Sequence, residues 1–307
     1  MGGGRFIYGD ITMSKVPKVW CSFEEQADKL IGRGLEVGHK ELLIEYLKSH
    51  NYYYLTGYLY QYFDDSTKRY VDTTNKDGKL TYFKIREIIS FDSLLRSLIN
   101  YQIDIIERDI KTKVAYYIGE KYGALGYLND SQFTEQTGFK KFKKLLNKYI
   151  RQNRNQEFIK HHDSKYKGQL PIWVAVEIMP LGMILKLFSY TDIKTKRKIV
   201  RCYSFNNLDK FESWFYCLVK FRNLVAHNNR LYRYNIKMTP KRSQIYPTLT
   251  GKVFDYIVIL SELYPRDSKF TWNGMFINVI QNIVAKQTFV DLIEYGFPEN
   301  WNNIIKL

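Results

Sequence analysis

The sequence predicts a mostly α-helical protein, because apolar residues recur at helical spacing through most of the chain. The longest such stretch is residues 84–120. Its positions at i, i+3 and i+4 spacing include Phe91, Leu94, Leu95, Leu98, Gln102, Ile105 and Ile106. Only residues 68–83, with Asn75-Lys76-Asp77-Gly78 between alternating runs, predict a small hairpin or a long loop. With 307 residues, 45% of them apolar, the chain can form one large domain or two intimate ones.

Two short helices and an aromatic run are predicted before this hairpin. Ser22 precedes FEEQADKLIGRGL, which has an acidic first turn, apolar positions at helical spacing and a glycine stop at Gly34. Residues 39–49 predict a second helix. The aromatic run NYYYLTGYLYQYF, residues 51–63, predicts either a helix or a buried turn.

Beyond the long helix the pattern stays helical. Further helices are predicted over residues 138–160, 173–189, 192–203, 207–227, 251–264 and 272–295. Pro180 predicts a bend in the second of these, and residues 161–171 and 239–247 predict loops. The chain is therefore divided into an N-terminal helical and aromatic segment (1–83), a helical core (84–240) and a C-terminal helical extension (241–307).

The charge is strongly basic and sits centrally. Lys and Arg number 47 against 31 Asp and Glu, which gives a net charge of +16. Residues 139–168 carry ten basic and two acidic side chains, and residues 220–242 carry seven basic and none acidic. One such cluster is commonly a solvated helix face. Two clusters favour an acidic polymer as partner, and nucleic acid above all.

The first cluster contains a regular stripe. Lys140, Lys144, Lys148 and Arg151 follow i, i+4, i+8 and i+11 spacing, which places them on one helix face. The core side of this helix is predicted to contain Phe139, Phe142, Leu145, Leu146 and Tyr149. Such a displayed stripe would follow an RNA backbone without reading its sequence.

Several classes of protein are disfavoured. Three cysteines without a C-x-x-C pair indicate a reducing, cytoplasmic location rather than a disulfide framework. No stretch of 18 apolar residues predicts a membrane span, and Met1–Asp10 lacks the apolar run of a secretory leader. The chain lacks a Gly-rich phosphate loop and a G-x-S-x-G elbow, and His161-His162 lies outside zinc-ligand spacing. The sequence therefore predicts no metal, no cofactor and no membrane partner.

One segment carries chemistry: KFRNLVAHNNRLYRYN, residues 220–235. Arg222, Asn223 and His227 stand in the spacing R-N-x-x-x-H at the end of an amphipathic helix. A histidine can transfer a proton near neutral pH, and an arginine can neutralise charge on a phosphate. An asparagine can orient either group. These three side chains suit RNA cleavage by the neighbouring 2′-OH, which needs no metal.

The geometry leaves alternatives open. Asn223 and His227 share a helix face, whereas Arg222 and His227 are about 140° apart around an ideal helix. Either the helix ends near His227, or a second copy of the chain completes the site. A purely structural interpretation also exists, because His and Arg near a helix C-terminus stabilise its dipole.

The motif and the segments around it resemble the abortive-infection proteins of the AbiD/AbiF type. These belong to the HEPN superfamily, whose characteristic motif is an Arg, a polar residue and then a His a few positions on. The matching blocks are residues 23–35, the aromatic run 46–62, the long helix 83–119, the P-x-W segment 170–188 and the motif helix 211–232. In many relatives a second histidine stands where this chain has Asn228. In those relatives Trp and Asn follow the next Arg-Leu pair, whereas Tyr232-Arg233 follow Arg230-Leu231 in this chain.

The resemblance implies a HEPN-like helical bundle that forms a homodimer with a metal-independent ribonuclease site at Arg222, Asn223 and His227. Glu107 is expected to support that site by pairing with Arg222. A surface pair with Lys111 is an equal alternative. Arg230 and Arg233 are predicted to join the stripe Lys140, Lys144, Lys148 and Arg151 in contacting RNA.

The sequence thus predicts an antiphage, toxin-like endoribonuclease. His227 would be the general acid and base, Arg222 the phosphate clamp and Asn223 the orienting group. Its partners would be an RNA substrate and a regulatory small RNA. The alternative is a catalytically inactive RNA-binding module that holds a small RNA. An antitoxin-like subunit that binds protein is disfavoured by the net charge of +16.

Overall fold

A computed structural model describes residues 19–307, and its mostly helical architecture confirms the predicted fold class. The prediction about a leader at Met1–Asp10 lies outside the described residues. The described chain divides into two compact units, one ending at Arg86 and the other comprising Glu87–Leu307. The predicted boundary at residues 240 and 241 remains a prediction.

The first unit begins with three helices, as the sequence predicts. They are α1 (Phe23–Gly32), α2 (Lys40–Ser49) and α3 (Tyr52–Leu59). Ser22 accepts the backbone N–H of Glu25, whose carboxylate accepts the N–H of Ser22, so α1 starts with a capping box. The aromatic run is therefore a helix, and a 3₁₀ turn follows it.

Four short strands complete this unit: β1 (Leu35–Glu36), β2 (Phe63–Asp64), β3 (Arg69–Tyr70) and β4 (Leu80–Thr81). β2 and β3 form an antiparallel hairpin, whereas β1 pairs with β4 in parallel. Of the two predicted alternatives for residues 68–83, the loop is confirmed over residues 71–79 and the hairpin was wrong, because the strands on either side of that turn pair with other partners.

Side-chain hydrogen bonds explain where the hairpin turn forms. Asp64 accepts the hydroxyl groups of Ser66 at 2.7 Å and Thr67 at 2.8 Å, which fastens the chain directly after β2. The same bonds hold the pKa of Asp64 at about 2. Residues 75–78 still form a turn, with Gly78 at a positive φ of +69°.

Helix α4 (Tyr82–Tyr122, 41 residues) begins in the first unit and continues through the second, as predicted for residues 84–120. Its buried apolar residues in the second unit include Phe91, Leu95, Ile99, Ile106 and Ile110. Gln102 is also fully buried, and its Oε1 atom accepts the hydroxyl of Tyr264 at 2.6 Å.

The basic segment forms two helices, α5 (Gln136–Gln152) and α6 (Glu157–Tyr166), so the prediction of one helix over 138–160 was wrong. Asn153 is the C-cap of α5, and its side-chain amide donates to Tyr149 O at 2.9 Å. His161 and His162 therefore lie on α6 and not in the predicted loop.

Pro180 breaks the next predicted helix completely. α7 (Ile172–Ala175) passes into a 3₁₀ turn, and α8 (Leu181–Tyr190) starts directly after the proline. α9 (Ile193–Val200) and α10 (Leu208–Ala226) confirm two further predicted helices.

The C-terminal part contains α11 (Val253–Leu263), α12 (Lys269–Thr271), α13 (Asn278–Val284) and α14 (Trp301–Ile305), with a π-helical segment at residues 272–277 between α12 and α13. The predicted helix over 272–295 is therefore too long. Beyond this end, the chain at Phe289 is held by a tertiary bond, since Glu87 accepts its backbone N–H at 2.7 Å.

The core of the second unit surrounds α10, which packs against α8, α9 and α11. Phe211, Trp214 and Phe215 of α10 are fully buried there. Cys217 is also buried, and burial raises its pKa to about 11, so this thiol is a neutral core group. Within residues 19–307, no helix is long and apolar enough to span a membrane.

Candidate active site

The predicted motif lies where α10 ends. Asn228 takes a left-handed φ of +54°, a conformation that asparagine tolerates better than most residues. Its backbone N–H donates to Val225 O at 3.1 Å, and the N–H of Asn229 donates to Leu224 O at 3.2 Å. This pair of bonds is a Schellman cap. The helix therefore ends at His227, which is one of the two geometries the sequence left open.

Asn223 and His227 lie side by side on the exposed face of α10, one helical turn apart. No hydrogen bond to either side chain is formed by the residues that the structure describes. Both side chains are accordingly open to a ligand.

Arg222 faces a different direction, toward helix α4. Its Nε atom lies 3.7 Å from Oε2 of Glu107, and Lys111 Nζ lies 2.9 Å from the other oxygen of that carboxylate. Both contacts predicted for Glu107 are therefore present. The Glu107 side chain is 14% exposed and that of Arg222 is 40% exposed. The Glu107 carboxylate is thus mostly buried, while part of the Arg222 side chain is exposed to solvent.

Within one chain, Arg222 and His227 do not share a helix face. The backbone is helical through Ala226, so the two side chains point about 140° apart around α10. One copy of the chain brings Asn223 and His227 together on the helix face, and Arg222 stands at its edge beside Glu107.

A buried carboxylate fixes the chain after the motif. Asp92 of α4 is fully buried and accepts the backbone N–H groups of Leu231 and Tyr232, the latter at 2.7 Å. It also forms an ion pair with Arg96, one turn along α4. Residues 231–232 are therefore anchored to α4, which sets the direction in which the chain leaves His227.

The exposed face of α10 contains two further side chains that the sequence pattern did not single out. Tyr216 and Lys220 precede Asn223 and His227 at i, i+4, i+7 and i+11 spacing. Tyr216 is 40% exposed, and Lys220 Nζ lies 5.3 Å from the centre of its ring. An exposed aromatic ring beside a cation suits base stacking. The helical spacing that identified the α5 stripe would have found both residues.

The cations that follow the motif have structural contacts. Arg233 forms an ion pair with Glu294, and Lys241 forms one with Asp209. The Nη1 atom of Arg230 is buried. Of the predicted RNA contacts, Arg230 and Arg233 are therefore at least partly engaged with the protein itself.

The stripe on α5 is displayed as predicted. Lys140, Lys144, Lys148 and Arg151 are exposed, and none forms an ion pair with a described residue. Phe139, Phe142 and Leu146 on the opposite side are buried. Helix α8 packs against both α5 and α10.

The donor groups of this region do not assemble into a metal site. Across residues 19–307, no three His, Cys, Asp or Glu side chains are grouped as ligands of one ion. The groups available for chemistry around the motif are Arg222, Asn223, His227 and the carboxylate of Glu107.

Comparison with known proteins gives one family. The model of the Abi-like protein family matches residues 45–233, more than half of the chain, and this range includes Glu107 and the whole R-N-x-x-x-H motif. No curated protein and no solved structure is significantly similar to the chain. The chain therefore belongs to the family of Abi-like proteins, which indicates a role in abortive infection.

Proposed function

We propose that this protein is a HEPN-type endoribonuclease that acts as a toxin in abortive infection. The observation that carries the proposal is the end of α10, where Asn223 and His227 lie exposed on one face and Arg222 is held beside Glu107. These are the residue types that metal-independent RNA cleavage requires.

The reaction uses a group that only RNA supplies. The 2′-OH loses its proton and its oxygen attacks the adjacent phosphorus, while the bond from phosphorus to the 5′ oxygen breaks. The products are a 2′,3′-cyclic phosphate and a 5′-OH end. His227 transfers the protons, Arg222 neutralises charge on the phosphoryl oxygens, and Asn223 orients the imidazole or the phosphate.

The separation of Arg222 from His227 supports a composite site. A two-fold axis beside α10 would place Arg222 of one copy close to His227 of the other. Each of the two sites in such a homodimer would then contain the complete set of groups.

The exposed cations support RNA as substrate. The stripe on α5 supplies four cations that form no ion pair with a described carboxylate, and these can hold a phosphate backbone of any sequence. Tyr216 can stack on a base beside the motif.

A catalytically inactive RNA-binding module is the second candidate. The observation favouring it is that the stripe lies on α5 and the motif on α10, so a module of this kind would hold RNA without using His227. Such a module would hold a small RNA and leave it intact.

An RNA cleavage assay in the presence of a chelator separates the two candidates. Purified protein should cut RNA in EDTA and leave 2′,3′-cyclic phosphate ends. His227→Ala should lose about 10²–10⁴-fold in rate. His39→Ala, which removes an exposed histidine of the first unit, is the matched control and should cut at the wild-type rate. Binding without cleavage by the wild type would favour the inactive module, and 5′-phosphate products that require magnesium would indicate a different enzyme.

A further inference from the structure

A cavity of about 420 Å³ lies in the second unit, separate from the motif. Residues 202–204, which precede α10, form part of its wall, whereas Arg222 and His227 stand about 21 Å and 28 Å along that helix. Lys113 of α4 also lines the cavity. It is six residues beyond Glu107, which places the two side chains about 120° apart around α4.

The opening of the cavity is cationic. Its four cationic lining residues are Lys113, Arg266, Lys269 and Lys306. Lys113 is held by Asp109 at 2.5 Å and lies 4.1 Å from the ring centre of Tyr203. The other three form no ion pair with any residue that the structure describes. The cavity therefore suits a ligand with a negatively charged group.

The inner wall is of a different kind. Tyr203 and Tyr264, which are only 6% and 5% exposed, line it together with Ile304, and Ile245, which is 48% exposed, adds aliphatic surface on the solvent side. Such a wall suits a flat apolar group.

One carboxyl group lies in the same wall. Glu262 accepts the hydroxyl of Ser243 on Oε1 and has no further hydrogen bond to a described residue. It can accept an N–H or O–H from a ligand, and its charge repels an anion that offers it no donor. The cavity thus combines a site for an anion with a site for a ring and a hydrogen-bond donor.

We propose that this cavity binds a nucleoside monophosphate. The phosphate lies at Arg266, Lys269 and Lys306, and the nucleoside lies against Tyr203, Tyr264 and Glu262. The volume falls within the range of about 300–1,000 Å³ usual for small-molecule sites. Two sources share this chemistry: a free nucleotide and the 5′-terminal nucleotide of an RNA. The site is independent of whether the motif cleaves RNA.

Calorimetric titration of the full chain tests the proposal, with AMP, inorganic phosphate and adenosine as separate probes. AMP should bind with a Kd of about 1 mM or tighter, and each of the other two probes at least about tenfold more weakly. Lys269→Glu should weaken AMP binding by about tenfold or more. Lys286→Glu makes the same change of charge at an exposed position outside the cavity and should alter the Kd less than about twofold.

Two further arms refine the assignment. Glu262→Gln should weaken the binding of AMP without weakening the binding of inorganic phosphate. Deoxy-tetranucleotides with 5′-phosphate or 5′-OH ends cannot be cut through a 2′-OH. Tighter binding of the 5′-phosphorylated tetranucleotide than of AMP would identify RNA ends as the source. Tighter binding of AMP would identify free nucleotides, so either result supports the site. The proposal is overturned by an absence of AMP binding at millimolar concentration. Equal binding of AMP and phosphate, or equal effects of Lys269→Glu and Lys286→Glu, would also overturn it.

Discussion

The two basic regions of the second unit differ in what their charges contact. In the first region, residues 139–168, Lys143 and Lys160 form ion pairs. The stripe residues Lys140, Lys144, Lys148 and Arg151 are exposed and form no ion pair with a described residue. In the motif segment, residues 220–242, three of the seven cations pair with carboxylates: Arg222, Arg233 and Lys241. Similar local charge therefore serves two purposes. The stripe leaves its charges available to a ligand, whereas three cations of the motif segment form ion pairs within the protein.

The largest effect expected from this division is on cleavage. Arg222 and Lys111 contact the two oxygens of the same carboxylate, that of Glu107. Arg222→Ala should lower the cleavage rate by about 10²–10³-fold, because it removes the group that stabilises charge in the transition state. Lys111→Ala, which disturbs the same carboxylate from the other side, should cost less than about tenfold. Equal losses in a single-turnover assay would mean that Arg222 acts only by packing against Glu107.

The next effect concerns the anchor of the motif segment. Asp92→Ala should lower the free energy of unfolding by about 3–5 kcal/mol, because it leaves Arg96 buried without its carboxylate and frees two backbone N–H groups. Asp104→Ala is the matched control on the same helix, since its side chain is 62% exposed in its pair with Arg108. That change should cost about 1 kcal/mol or less. Urea denaturation of both variants gives the comparison, and similar midpoints would show that Asp92 does not anchor the segment.

The third effect is on RNA affinity. Reversing Lys144 and Lys148 to Glu should weaken binding of all RNA sequences alike and flatten the salt dependence by about two units of slope, one for each lost phosphate contact. Lys121→Glu with Lys286→Glu gives the same change in net charge at exposed positions off the stripe. If this control pair weakens RNA binding as much as the stripe pair, the stripe is a solvated face.

The smallest effect tests whether the site is shared between two chains. Arg222→Ala and His227→Ala are each expected to be inactive, but a mixed dimer would retain one intact composite site. Random mixing of the two variants should therefore restore about a quarter of the wild-type rate. No recovery, in a mixture that light scattering shows to be dimeric, would place both residues of each site in one chain.

The sequence predicted the regular helices well, because periodicity depends on burial that each helix needs independently. α4 and α10 lie where the apolar spacing put them. It predicted the end of α5 badly, although residues 151–157 are all polar and the side chain of Asn153 donates to Tyr149 O where the helix ends. The spacing also left a hairpin and a loop open at residues 68–83, since the partner of β4 is β1, more than forty residues away.

For the candidate site, local spacing identified the motif and a resemblance identified Glu107. The role of Asp92 could not be predicted from local spacing, because its hydrogen bonds join residues 139 and 140 positions apart. Tyr216 was available from helical spacing alone. Its place on the exposed face became visible only when its exposure separated it from the buried aromatic residues of α10.

The division of work between the two basic regions is tested most directly by measuring RNA affinity and single-turnover cleavage rate on the same variants. His227→Ala should bind RNA as tightly as the wild type and lose about 10²–10⁴-fold in rate at saturating protein. The Lys144→Glu, Lys148→Glu variant should bind more weakly and cleave bound RNA at the wild-type rate. The account would be contradicted if His227→Ala lost affinity instead of rate, or if the stripe variant lost rate at saturation while its affinity was unchanged.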